Sequence, residues 1–407
     1  MIDAARFRTK NTQAYDLFLK QQATFFEGLN TRQSRDFEEA ICIGKEAFKL
    51  DPSFMPAAGF VSVANALLYG TTSDPARRAT YATESKQWAE VASRLVPGGA
   101  GDLAMISHLL YIERDFVRAA SMAENGVRAM PNDSGLMNFL GLARAALGRT
   151  AEAAENFQSA VTADPMIPVL SSNLLQKLVD LRRKAPALAV IARLETLPNK
   201  SDHRWIIAEN RFRLLGEIPS ELNGLDEAEW LWRGRQYDRL AGSIERQLAQ
   251  QSPSDTARFS LQLRLSDARR RQGDLVRAAE AARMALTLAE GARSDQTYPI
   301  HRREMRVAES LVRLDRFDEA VGTAQRAVAA APEKSDLLAR WRCEVELAAV
   351  CAQAGRNQQC IELLAKLLRV PSGLTVPMLK VDPTWDNVRE DAALKALLAD
   401  PKNSAPL

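Results

Sequence analysis

The chain is poor in the residues that most catalytic sites depend on. Only three histidines occur among 407 residues, His108, His203 and His301. They lie far apart, with no serine and aspartate partners beside them, so histidine-based catalysis is not indicated. Phosphate-loop, dinucleotide-fold, metalloprotease and nucleophile-elbow patterns are all missing. No catalytic, cofactor-binding or metal-ligating residue is therefore assigned, and no cofactor is expected.

The four cysteines are Cys42, Cys343, Cys351 and Cys360, and their spacings match no metal motif. All four fall in apolar helical patterns and read as buried free thiols, which suits a reducing, cytoplasmic setting. Glycine is scarce, at 20 residues, and neither alternating Val/Ile/Thr runs nor Asn-Gly turns occur, which excludes a sheet-based fold. No apolar run approaches the ~18 residues of a membrane span. The opening MIDAARFRTK lacks the apolar core of a secretory signal. Lys plus Arg number 54 against 51 Asp plus Glu, a net charge of only +3. A global pull toward nucleic acid or an anionic membrane is not expected.

What is present is a period. Pro97, Pro131 and Pro165 are 34 residues apart, Pro198 follows after 33, and Pro52 precedes Pro97 by 45. Each proline closes a run with helical spacing, as in VRAASMAENGVRAMP and AEAAENFQSAVTADP. Proline has no N–H for a helix interior, so the helix stops there. The clearest unit runs from Ser134 to Pro165. Leu136, Phe139, Leu140, Ala143 and Leu147 mark one helix, Gly148 ends it in a left-handed turn, and Ala153, Phe157, Ala160 and Val161 mark a second. Small Gly141, Ala153 and Ala160 let the helices cross closely, with Phe157 filling the space between them. Such a hairpin cannot hide its apolar face alone, and stacking on its neighbours does so.

These residues resemble the tetratricopeptide repeat, whose pattern sets a small residue on the first helix against two alanines around a bulky residue on the second, then a proline. Gly141, Ala153, Phe157, Ala160 and Pro165 fit it, as do Gly28, Ala40, Ala47 and Pro52 in the first unit. Ala278, Ala282 and Ala285 fit in a later unit, and Ala320, Ala324, Ala327 and Pro332 in the next. The resemblance implies an all-α, right-handed α-solenoid of about nine helix pairs covering nearly the whole chain. The tail resembles the end of tetratricopeptide regions found in bacterial Ser/Thr kinase, nucleotide cyclase or winged-helix regulators, through Asp382, Pro383, Trp385, Asp386, Arg389, Asp391, Leu397 and Leu398. No such effector module is in this sequence, so the chain is expected to be a stand-alone relative or a fragment. The tail should cap the apolar face of the last repeat.

Two stretches break the period. YGTTSDPARR, from Tyr69 to Arg78, reads as a lengthened connection before a long helix at Arg78–Val96. GEIPSELNGLDEAEWLWRG, from Gly216 to Gly234, reads as a short extra helix around Asp226–Trp232 at a bend or a tolerated insertion. The expected organisation is an extension at 1–10, an array at 11–200, an irregular repeat at 201–253, a second array at 254–370 and a cap at 371–407.

With no catalytic apparatus, function falls to the concave face that the family lines with the first helix of each pair. The resemblance places Val63, Leu67, His108, Tyr111, Asn138 and Leu142 on its nearly uncharged N-terminal part. It places Trp205, Glu209, Phe212, Arg213, Arg270, Arg271, Met305, Arg313 and Arg342 on an aromatic and arginine-rich C-terminal part. The Lys/Asn set that clamps a C-terminal carboxylate in chaperone-binding relatives is reduced to Asn138. Between Thr256 and Arg316 there are 13 arginines against 8 acids, which reads either as a solvated, ion-paired helix face or as a patch for an acidic segment or phosphate. Trp230, Trp232 and Tyr237 read as core. The expected role is a non-enzymatic scaffold holding a partner protein or peptide in the groove, with nucleic acid and membrane not favoured. The alternative is a regulatory sensor that binds a small ligand or controls a kinase, cyclase or transcription-factor module.

Overall fold

A computed structural model describes residues 9–31, 33–72, 74–197, 203–223, 225–250, 254–292 and 298–407. Pro198, Pro253 and most of the 1–10 extension lie outside them. Among the described residues there is no strand, and the chain is an all-α array of helix pairs. It divides into two compact units, 1–177 and 178–407.

The first unit holds α1 (Thr12–Thr31), α2 (Ser34–Leu50), α3 (Met55–Thr71), α4 (Pro75–Leu95), α5 (Leu103–His108), α6 (Phe116–Ala129), α7 (Ser134–Ala146), α8 (Thr150–Ala163) and most of α9 (Pro168–Asp180). Helices pair as α1/α2, α3/α4, α5/α6 and α7/α8, and the first helices α1, α3, α5 and α7 also touch in succession. The second unit continues with α10 (Lys184–Thr196), α11 (Arg204–Leu215), α12 (Glu227–Arg233), α13 (Tyr237–Gln250), α14 (Asp255–Arg271), α15 (Leu275–Gly291), α16 (Ile300–Arg313), α17 (Phe317–Ala330), α18 (Leu337–Gln353), α19 (Asn357–Leu367), α20 (Val376–Val381) and α21 (Ala392–Ala399). Its pairs are α12/α13, α14/α15, α16/α17 and α18/α19, with α12, α14, α16 and α18 in contact along one wall.

Local chemistry sets the ends of these helices. Asp74, Asp115, Asp133, Asp226, Asp274 and Asp336 each stand before a helix and accept a hydrogen bond from one of its first free N–H groups. Seven of the turns between described helices use one left-handed residue. Gly148, Gly273 and Gly355 supply it without strain, while Arg114, Arg182, Arg235 and Asp315 adopt it with φ of 55–59°. Small residues hold the helix crossings tight. A Cβ on Gly141 would fall 2.6 Å from the Phe157 ring, and one on Gly126 would fall 2.7 Å from Leu136. Ala153 and Ala160 are fully buried around Phe157.

The first irregular stretch resolves differently from the expectation, and the second holds the short helix expected around Asp226–Trp232. α3 runs through Thr71 and α4 starts at Pro75, so the added residues lengthen two helices rather than a loop. The stretch before Gly234 is the first helix of a pair of its own, the seven-residue α12 packed on α13. The tail caps as expected: Leu379, Trp385, Val388, Leu394 and Leu398 share a core with Trp341, Cys343 and Leu347 of α18 and with Leu364 of α19. It also turns back onto the opening helices of its unit. The Arg213 guanidinium donates to the Gly373 carbonyl at 2.9 Å, the Thr375 hydroxyl donates to the Arg213 carbonyl, and Arg235 reaches Asp386 at 2.8 Å. The expected burial of all four thiols is corrected at Cys42, which is exposed; the other three are buried.

Candidate functional site

Each unit presents a hollow on the wall made by its first helices. In the first unit a hollow of about 390 Å³ is lined from α1, α3, the α5 segment, α7 and the start of α9. Phe25, Phe26, Leu29, Phe60, Val63, Leu67, Phe139, Leu142 and Leu170 give it an apolar wall. No charged side chain is among its lining residues. Phe25 and Phe60 meet edge to face at 5.0 Å, and Tyr111 and Phe139 at 6.4 Å, so the rings are fixed by one another.

The polar side chains of Tyr111, Ser134, Asn138 and Asn173 break this wall. Asn173 Nδ2 donates to Asn138 Oδ1 at 2.8 Å, linking α9 to α7. That bond leaves the two amide N–H donors of Asn138 and the carbonyl acceptor of Asn173 without a partner among the described residues. The Tyr111 hydroxyl makes no hydrogen bond among them either, and burial pushes the phenol up to about 12, so it stays a neutral donor.

Val63, Leu67, Tyr111, Asn138 and Leu142 thus share one surface, whereas His108 does not. His108 is buried against α4, with Nδ1 3.1 Å from Ser85 Oγ and Nε2 3.3 Å from Glu113. Burial lowers its pKa, and Glu113 opposes this only in part. His108 ends α5, immediately before a π-turn at Leu109–Glu113, and its ring is held by Ser85 of α4 and by Glu113 instead of facing the hollow. Phe25, Phe26, Leu29, Phe60 and Asn173 were not expected at the site. Their apolar spacing is legible, but the first repeat has no preceding unit to set its phase, and α9 carries no clear repeat signature.

In the second unit a cleft of about 710 Å³ is lined by α12, α13, α14, α16 and α18, with Thr384 of the tail at its edge. Its arginines and acids pair mostly between helices, with Arg342–Glu346 and Arg233–Glu229 running along one helix each. Arg264 of α14 bonds Glu229 of α12 at 2.6 Å. Arg313 of α16 makes a two-pronged contact with Asp267 of α14 at 2.8 and 2.7 Å. Arg302 of α16 meets Glu346 of α18 at 2.8 Å, and Arg342 shares the same carboxylate at 3.1 Å. Each inner helix is thereby tied to the next. Burial pushes Glu229 up, but Arg264 and Arg233 outweigh it and hold its carboxyl below the ordinary range. Glu309 has no arginine within ion-pair distance among the described residues. Burial and the neighbouring Glu346 raise it to about 7 against Arg313, Arg302 and Arg342.

Of the residues expected on this wall, Arg313 and Arg342 line the cleft. The others do not. Phe212 is fully buried beneath Arg233, and Met305 is 1 % exposed within the helix packing, so neither can meet a partner. Glu209 pairs with Arg233 at 2.6 Å, and Trp205 is half-buried on α11. Arg213 is taken up by Asp180 and Gly373, Arg271 by Asp386 and the Pro383 carbonyl, and Arg270 by Asp315 and the Arg313 carbonyl. Two of these arginines hold the tail, an intramolecular partner that charge counting could not reveal. Trp230 and Trp232 are each 4 % exposed, as core residues should be.

Among the described residues no cluster of His, Cys, Asp or Glu is arranged to hold a metal, and no helix is long and apolar enough to cross a membrane. No protein-family model and no curated protein matches the sequence. Among solved structures, the chain is similar to human IFIT1, solved as a dimer with PPP-AAAA, at 14 % identity and a TM-score of 0.39, over 97 % of this chain and 95 % of that one. The IFIT1 dimer with m7Gppp-AAAA aligns at 13 % identity and a TM-score of 0.41, over 96 % and 94 % of the two chains. A tetratricopeptide repeat protein of Thermus thermophilus, TTC0263, aligns at 17 % identity and a TM-score of 0.21, over 60 % of this chain and 96 % of its own. These scores are low, so the repeat architecture rests on the helix pairs themselves.

Proposed function

We propose that the chain is a binding scaffold whose first unit holds an extended segment of a partner protein against its inner wall. The carrying observation is the Asn138–Asn173 pair set in an otherwise apolar hollow. One of its spare N–H groups and its spare carbonyl oxygen match the C=O and N–H of one peptide unit, and the Tyr111 hydroxyl offers a further donor. Apolar side chains of the segment fill the space between Phe25, Phe60, Val63 and Leu142. An apolar wall with a few fixed polar groups supplies affinity from burial and register from hydrogen bonds. Three buried thiols suit work in a reducing compartment such as the cytoplasm.

The test is selection of peptides from a random display library on the purified protein, with affinities then measured on Leu142→Lys and Asn138→Leu. Selected peptides should carry apolar anchors and lose at least tenfold in affinity for both variants. Peptides that bind both variants as well as the parent would remove this reading. The sensor alternative, in which the chain answers to a small ligand, is favoured by a different observation: a buried arginine without an anion in the cleft of the second unit.

A further inference from the structure

Among the arginines that line the ion-paired cleft of the second unit, Arg306 is the exception. It is 9 % exposed, yet its side chain makes no hydrogen bond and no ion pair among the described residues. Its guanidinium carbon sits 5.0 Å from the centre of the Phe259 ring and 4.7 Å from that of Tyr298. The guanidinium carbon thus lies over two rings, and its N–H groups remain without a hydrogen-bond partner among the described residues. The carboxylates nearby do not serve it. Asp267 is bound to Arg313, Glu229 to Arg264, and Glu346 to Arg302 and Arg342, while Glu309, three residues along α16, makes no ion pair with Arg306 among the described residues. A buried guanidinium without an anion is unfavourable, and a hollow of about 710 Å³ lies open beside it.

We infer that this cleft is a ligand site for a small organic monocarboxylate, whose carboxylate completes Arg306 and whose apolar body lies against Phe259 and Trp232. The charge balance selects the class. One guanidinium lacks an anion, the unpaired Glu309 beside it is raised toward its protonated form, and the other carboxylates on the same walls are already paired, so a single negative charge is neutralised and a second is repelled. A phosphate dianion or a strongly acidic peptide is disfavoured on that ground. The inference is independent of the peptide-binding role proposed for the first unit, because no residue is shared between the two sites.

The experiment is calorimetric titration of the full chain with phenylacetate, octanoate, phenylacetamide and inorganic phosphate, repeated on Arg306→Met and Arg306→Lys. Retention of the helical circular-dichroism signal serves as the fold control. The expected result is binding of at least one of the two carboxylates, with affinity reduced tenfold or more in both variants. The neutral amide should fail to bind, and phosphate should bind more weakly than the carboxylate. In the parent protein the Arg306 Nε–H resonance should move on titration, a readout that holds even if a variant misfolds. No binding of either carboxylate, equal binding of the amide, binding unchanged in Arg306→Lys, or preference for phosphate would each overturn the inference. Displacement of the carboxylate by an acidic peptide at lower concentration would overturn it in favour of a protein partner.

Discussion

Gly141 and Phe157 close the fourth helix pair: the ring of Phe157 occupies the place a side chain on Gly141 would take, with a built Cβ only 2.6 Å away. Phe157 is itself 1 % exposed, so it has nowhere to retreat. Gly141→Ala should destabilise the protein by about 1–3 kcal/mol through overpacking. Phe157→Leu should recover part of that loss in the double variant, because the two sites share one space. Thermal or urea unfolding of the four-member cycle checks this, and additive losses would show that the helices can part enough to admit a methyl group.

The left-handed turn at Arg235 carries a second prediction. A glycine there would be unstrained, but the arginine side chain holds Asp386 and the Val381 carbonyl in the tail. Arg235→Ala loses the clamp and keeps the strain, whereas Arg235→Gly loses only the clamp. The glycine variant should be more stable than the alanine variant by about 1 kcal/mol. In both, amide exchange should quicken across 376–388 relative to the parent. Parent-like exchange in the alanine variant would mean that the tail is held by its apolar contacts alone.

Glu309 makes stability depend on pH. Its carboxyl stands at about 7 in the folded chain against an ordinary 4.5, with Glu346 and Arg342 facing it from α18, Arg264 and Asp267 from α14, and Arg302 and Arg313 on its own helix. The folded state therefore holds more protons than the unfolded one between those two values, so this group erodes stability as pH rises through that window and adds no further change above it. Glu309→Gln lacks this dependence. Its gain in stability over the parent should be small near pH 4.5 and grow to about 1–3 kcal/mol by pH 8, read as unfolding midpoints across pH. A gain that does not change with pH would place the carboxyl in an ordinary environment.

The pair formed by Arg313 and Asp267, with side chains 10 % and 11 % exposed, should behave as a desolvated ion pair. Asp267→Asn alone should cost about 3–5 kcal/mol by leaving Arg313 uncompensated, while Asp267→Leu with Arg313→Met should cost much less. A denaturant series on these variants decides it. A loss below about 1 kcal/mol in the single variant would mark the pair as solvent-screened.

Sequence range decides how much of this was legible beforehand. Pro52, Pro97, Pro131, Pro165 and Gly148 act within a single turn of chain, and each ends the helix it was expected to end. The contact between Gly141 and Phe157 was legible because both sit inside one repeat. His108 was misplaced because its ring is held by Ser85 on the second helix of the preceding pair, a contact that no spacing rule announces. Arg213 and Arg271 were expected to face a foreign partner and instead hold Gly373 and Asp386, residues more than a hundred positions away. Asn173 became visible only once α9 had been laid beside α7.

The most direct measurement of the central claim is peptide affinity against the hollow of the first unit. A display-selected peptide carrying a photoreactive anchor should crosslink to residues among Phe60, Val63, Tyr111 and Leu142, and Leu142→Lys should abolish both crosslink and binding. Crosslinks confined to the outer helices α2, α4, α6 or α8, with binding indifferent to Leu142→Lys, would contradict it.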